Sequence, residues 1–158
     1  MKKFEFTGET KTISLFFRTA TLHRIRAVAE FGLVKIGDLG GWIEKEENLS
    51  HEGKAWVWGN AEVWGNAKVC GDAEVFSASH VLVIGAIGSR DDFTTFFRDK
   101  DNEITVKCGC FLGKIDKFLE KVTQTHGDSK YALVYRAAVE VARLQIDLSG
   151  EAPKDADE

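Results

Sequence analysis

Four histidines are the residues of this 158-residue chain best suited to move a proton near neutral pH: His23, His51, His80 and His126. His51 stands in Ser50-His51-Glu52-Gly53 and His80 in Ser77-Ala78-Ser79-His80. Either imidazole could act as a general base toward a hydroxyl or an amine if a partner oriented its ring. The plainer reading, surface or interface histidines without chemistry, is preferred, so no catalytic residue is favoured. His126, in THGD, reads as a helix-end residue placed near the negative end of the helix dipole.

The remaining reactive side chains give little more. Cys70, Cys108 and Cys110 are an odd count with a CxC pair, and the scattered histidines supply no zinc-ligand spacing. Free thiols in a reducing compartment are expected, with no metal, and the chain is read as cytoplasmic. MKKFEF lacks the apolar core of a signal peptide, and no apolar run is long enough to span a membrane. With 25 acidic against 21 basic residues, the net charge of −4 offers no footprint for nucleic acid, so neither DNA nor membrane is expected as a partner. Arg18, Arg24 and Arg26 do lie close together in sequence, and with Arg90 they are the candidate phosphate or anion contacts. GDLGGW has neither the GxGxxG nor the GxxxxGK spacing and precedes no helix, so Gly37, Gly40 and Gly41 are expected to serve backbone corners.

What must position these residues is written in AWVWGNAEVWGNAKVCGDAEV. Alanine recurs at Ala55, Ala61, Ala67 and Ala73, and valine two places later at Val57, Val63, Val69 and Val75. Gly59-Asn60, Gly65-Asn66 and Gly71-Asp72 close the units with residues that tolerate positive φ. A six-residue period is neither helical nor that of a simple strand, and three such steps return a chain to its start. The expected product is a short parallel β-helix of about three coils over residues 34–89, with Val57 beside Val75, Val63 beside Val81 and Val69 beside Ile87. His80 would then stand one coil above Glu62, which could orient its ring.

The stretch LHRIRAVAEFGLVKIGDLGGWIEKEENLSHEGKAWV followed by A-x-V-x-G-N hexads resembles the left-handed β-helix proteins of the hexapeptide-repeat superfamily, over roughly residues 20–89. More narrowly it is similar to an uncharacterised branch common in phages and prophages that is labelled acyltransferase-like by fold alone. The resemblance implies a left-handed coil and trimeric association. It also implies a second function: an acyltransferase using acetyl-CoA, with His80 or His51 as base. Against this, no histidine-bearing loop is inserted between coils, and no basic cluster is set up for a CoA phosphate. GCFLGKIDKFLEKVTQTHGD resembles a module that follows such repeats in phage-encoded proteins.

Two caps are expected. In residues 1–33, FEF, TISLFF and LHRIRAV read as strands, with Phe16 and Phe17 in the core. Residues 90–148 read as a hairpin and two helices. The strands run Phe93 to Arg98 and Ile104 to Phe111. The first helix ends near Gly127, and the second carries the stripe Leu133, Ala137, Val141 and Leu144. Residues 149–158 hold the only proline and read as a disordered acidic tail.

On such a coil Trp56 and Trp58 point outward, with Phe76 above Trp58, and Trp64 points outward on the next face below Leu82. Together they make an apolar patch of roughly several hundred Å² that something must cover. Trp56, Trp58, Trp64, Phe76 and Leu82 are therefore the expected interface, with the chain's own C-terminal module, a second copy or a foreign partner as its cover. The favoured function is a non-enzymatic binding protein without cofactor that forms a homo-oligomer, a trimer or dimer. The occurrence of similar proteins in phages points to an accessory protein in the host cytoplasm that binds and inhibits a bacterial defence component or sequesters its nucleotide signal.

Overall fold

The computed structural model describes residues 1–149; of the expected tail, 149–158, all but Ser149 lies outside the described residues. At the N-terminus, β-branched and aromatic residues build the strands β1 (Phe4–Ser14) and β2 (Thr19–Ala27). They form an antiparallel hairpin, from Phe4 beside Ala27 to Ser14 beside Thr19, with a bulge between Phe6 and Thr10 where Gly8 takes a φ of 95°. β2 continues antiparallel onto β3 (Leu39–Ile43).

The hexads supply only two-residue strands: β4 (Trp56–Val57), β5 (Glu62–Val63) and β6 (Glu74–Val75). Their corners turn at Gly59, Gly65 and Gly71, with φ of 57°, 66° and 64°. Three short parallel contacts result: Ile43 beside Val63, Leu49 beside Val69, and Val57 beside Val75. The alanines and valines of the repeat are buried together with Phe4, Ile25 and Trp56 in one cluster.

The expected left-handed β-helix of about three coils does not form. The sheets are small and mixed or antiparallel: β1-β2-β3-β5, the pair β4-β6, and a wholly antiparallel sheet at the C-terminal side. Val81 and Ile87 do not lie over Val63 and Val69. They belong to β7 (Val81–Ile87), where Val81 faces Phe97 and Ile87 faces Asp92 on β8 (Asp92–Arg98). No Gly-Asn or Gly-Asp corner recurs between Asp72 and Gly127, so the run VLVI has no means of bending every six residues. Its β-branched residues instead take an antiparallel neighbour, paired from Val81 to Ile84 before the register shifts ahead of Ile87.

The C-terminal sheet is completed by β9 (Ile104–Cys108) and β10 (Phe111–Lys114), in the order β10-β9-β8-β7. Helices α1 (Ile115–His126) and α2 (Lys130–Gln145) follow, and Gly127, at φ 58°, ends the first. α1 buries Ile115, Phe118 and Val122 at helical spacing. α2 buries Ala132, Tyr135, Ala138, Val139 and Ala142, not the expected stripe. Leu133, Ala137, Val141 and Leu144 face water, Leu144 being 88% exposed. The alanine face lets the helix lie close to its neighbours, and the leucines, on the opposite side of the helix, are left outside.

The two halves meet at the turn between β8 and β9. Ala73 bridges Asp99, and the Lys100 amide donates to the Asp72 carbonyl at 3.0 Å. Among the described residues no helix is long and apolar enough to cross a membrane.

Candidate functional site

Neither candidate histidine is set up as a base. His51 lies flat on Phe4, with ring centroids 4.1 Å apart, and its Nδ1 accepts the Lys3 amide at 3.0 Å. Nδ1 of His80 accepts the Phe76 amide at 3.0 Å, and the ring is buried. Accepting at Nδ1 puts the hydrogen of a neutral ring on Nε2, so no basic nitrogen is left for a substrate. The expected orienting partner is also elsewhere: Glu62 pairs with Lys11 at 2.6 Å. The coil that was to bring it beneath His80 does not form.

Both rings are held below the ordinary histidine range. For His51 the main cause is burial, aided by Lys3, Lys2 and the N-terminus and opposed by Glu46. For His80 it is burial, then Arg98, opposed by Asp147. A histidine whose folded pKa is depressed gives its full stabilisation above its unfolded value of about 6.5 and loses it as pH falls below that. The melting temperature is therefore expected to decline between pH 7 and pH 5. In a His51→Gln/His80→Gln variant, which retains an acceptor but cannot titrate, the decline should largely disappear; an unchanged slope would assign it to other groups.

The expected aromatic interface is internal at its centre. Trp56 has no accessible surface and packs edge-on against Phe31, with centroids 5.3 Å apart; Trp58 is buried beside Phe76 at 5.6 Å. The cover over Trp56 comes from the N-terminal segment, through Phe31. Phe76 is half-buried beneath the Arg98 guanidinium at 5.3 Å. Trp64 packs beside Trp42 and Leu22, and Leu82 packs against the C-terminal core. The large apolar side chains that do meet solvent are different ones. Phe16 and Phe17, expected in the core, are each 93% exposed at the β1–β2 tip and stack edge-to-face at 4.7 Å. A turn closed by the Leu15 amide on the Arg18 carbonyl carries them beyond anything they could pack on.

The four arginines are not gathered into one anion site. Arg18 grips Glu44 with two hydrogen bonds of 2.6 and 3.0 Å, and Glu44 also accepts the Gly65 amide at 2.8 Å. Arg18 chiefly holds the Glu44 carboxyl down at about 2. Arg24 donates to the Gly40 carbonyl at 2.9 Å and lies over Trp42. Arg26 pairs with Glu5. Arg90 stands apart, on the rim of a cleft of about 190 Å³ that Lys121, Tyr135 and His126 also line. Cys108 and Cys110 border the same cleft, and the Cys108 thiol contacts the Tyr135 hydroxyl at 3.8 Å. Among the described residues no group of three or more histidines, cysteines and carboxylates could hold a metal ion.

A depression of about 680 Å³ runs between His51 and Lys107 and includes Lys68 and Cys70. Its chemistry is weak. Burial pushes the Cys70 thiol up, which keeps it protonated, and Glu46, Glu47 and Glu52 line the same depression as the lysines.

Two buried groups carry no signal in the linear sequence. Lys3 donates to the Ala55 carbonyl at 2.7 Å, and burial lowers its pKa to about 8. Asp99 is buried in what reads as a polar turn, accepting from Thr105 at 2.7 Å and from Lys114 at 3.0 Å. Tyr135 could have been found through the alanines spaced around it on α2. A scan of the chain against protein-family models finds no match, and a search of curated proteins finds no relative.

Proposed function

We propose that the chain is a non-enzymatic binding protein that works as a small homo-oligomer. The observation that carries the reading is where the large apolar side chains stand: Phe16, Phe17 and Leu144 are each nearly nine-tenths exposed or more. On α2, Val134, Ala137, Val141 and Leu144 are spaced three, four and three apart, the seam of a helix that packs against another helix. A second copy supplies such a helix, and an isologous pair buries both stripes at once. The Phe16–Phe17 finger is then the contact for a foreign partner. The resemblance of the GCFLGKIDKFLEKVTQTHGD segment to phage-encoded proteins supports a bacterial host component in that role. The acyltransferase alternative, with acetyl-CoA as cofactor, draws no support from histidines whose Nδ1 atoms accept backbone amides.

Light scattering tests the self-association. The wild type is expected to exceed its monomer mass of 17.6 kDa, and Val141→Glu to return to that mass while staying folded, with the lower melting temperature that loss of association brings. A wild-type monomer at high concentration overturns the oligomer.

A further inference from the structure

We propose that the cleft between the β9–β10 hairpin and helices α1 and α2 binds a small aromatic oxyanion, one planar ring carrying a phosphate or a carboxylate. This inference does not depend on the partner-binding reading above.

Charge is the first support. Arg90 and Lys121 are exposed on the cleft's rim, and Asp92 is the only carboxylate among the described residues lining it. Neither the Arg90 guanidinium nor the Lys121 ammonium has a hydrogen bond or ion pair among the described residues, whereas Arg18, Arg26 and Lys114 are each matched to carboxylates. A guanidinium presents a fork of donors that fits either oxyanion, and an ammonium beside it adds a compact charge.

Shape is the second. The floor is aromatic: Phe118 stands edge-on to Tyr135 at 5.6 Å, Phe111 leans on Phe118 at 5.5 Å, and the His126 ring stacks on Tyr135 at 5.8 Å. A volume of about 190 Å³ suits a single substituted ring; an apolar cavity of about 150 Å³ takes a benzene.

The third support is a nearly buried hydroxyl in the cleft lining. Tyr135 is only 9% exposed. The Thr94 hydroxyl donates to Cys108 Sγ at 3.5 Å, and that thiol donates to the Tyr135 oxygen at 3.8 Å. The hydroxyl and the thiol share that contact, and the phenol hydrogen can rotate from the sulfur toward an oxyanion in the cleft. Burial, reinforced by Cys108, pushes the Tyr135 pKa up to about 12, so the group stays a donor. Gly88 makes room for it: at φ 81°, a Cβ there would fall 1.9 Å from the Tyr135 oxygen.

Amide NMR titrations of the full chain with phenyl phosphate, benzoate and inorganic phosphate test the proposal. Phenyl phosphate or benzoate should shift the resonances of Arg90, Cys108, Lys121 and His126, and bind at least about tenfold tighter than inorganic phosphate. Whichever of the two binds tighter names the oxyanion. Arg90→Ala, an exposed change that leaves the melting temperature in place, should weaken binding about ten- to a hundredfold. Tyr135→Phe should weaken it less. The proposal is overturned if neither ring compound moves these resonances at millimolar concentration, if inorganic phosphate binds equally well, or if a double Arg90→Ala/Lys121→Ala variant binds as the wild type does.

Discussion

Replacing Trp56 with alanine is expected to destabilise the protein by about 3–5 kcal/mol and to lower its melting temperature by roughly 10 °C. The indole is enclosed on every side. Phe31 meets its edge, and the close approach on another side is possible only because residue 40 is glycine. A Cβ at Gly40 would sit 2.6 Å from Trp56 Cζ2 and 2.7 Å from Ile25. Removing the ring opens a cavity bounded by short strands whose backbone pairing limits collapse. Trp56→Phe should be far milder, at about 1 kcal/mol, because Nε1 has no hydrogen-bond partner among the described residues and its loss breaks no bond. Phe16→Ser at the exposed tip should fall within about 0.5 kcal/mol of the wild type. Thermal melts of the three variants decide the matter. A Trp56→Ala protein melting near the wild type would show that the indole is not part of the core.

Asp99→Asn is expected to destabilise by about 2–3 kcal/mol. The carboxylate accepts from Thr105, Lys114 and the amides of Asp101 and Glu103, and its turn joins the two halves of the chain. Asparagine keeps one oxygen for the amides but turns an NH₂ toward the Lys114 ammonium, placing donor against donor there, while the Thr105 hydroxyl can rotate to accept. The cost lies below that of breaking a fully buried ion pair because Lys114 is 41% exposed and can be rehydrated. Burial raises the Asp99 pKa, but the hydrogen bonds outweigh it and hold the carboxyl below its ordinary range. A depressed carboxyl stabilises fully above its unfolded pKa of about 3.9, and that stabilisation is lost as pH falls further. Wild type and variant should therefore converge in denaturant titrations carried from pH 7 toward pH 3. A constant gap between them would mean that the carboxylate's charge is irrelevant.

Much of the local structure was legible in the residues. The pairing of Phe93–Arg98 with the strand from Ile104, the stop at Gly127 and the positive φ at Gly59, Gly65 and Gly71 all follow from side chains a few positions apart, although that strand ends at Cys108 and Phe111, expected at its end, begins β10 instead. Less of the candidate site was readable. Arg90 was visible as a cation, but Lys121, Tyr135 and Cys108 come to it from separate elements, and nothing in their spacing announces that. Repetition misled where it stopped. Three glycine corners implied further coils, yet residues 81–87 lack a corner and pair with β8. Apolar periodicity misled on α2, where two stripes compete and the alanine one packs closer.

By itself the sequence determined where the chain turns, where its helices end and which segments are extended, because those depend on the φ preferences and capping of neighbouring residues. Tertiary structure decided which strand β7 joins, which face of α2 is buried, what covers Trp56 and which atoms the histidines accept from. Each of these is a contest between distant partners, settled by packing and by hydrogen bonds that no short window of residues contains.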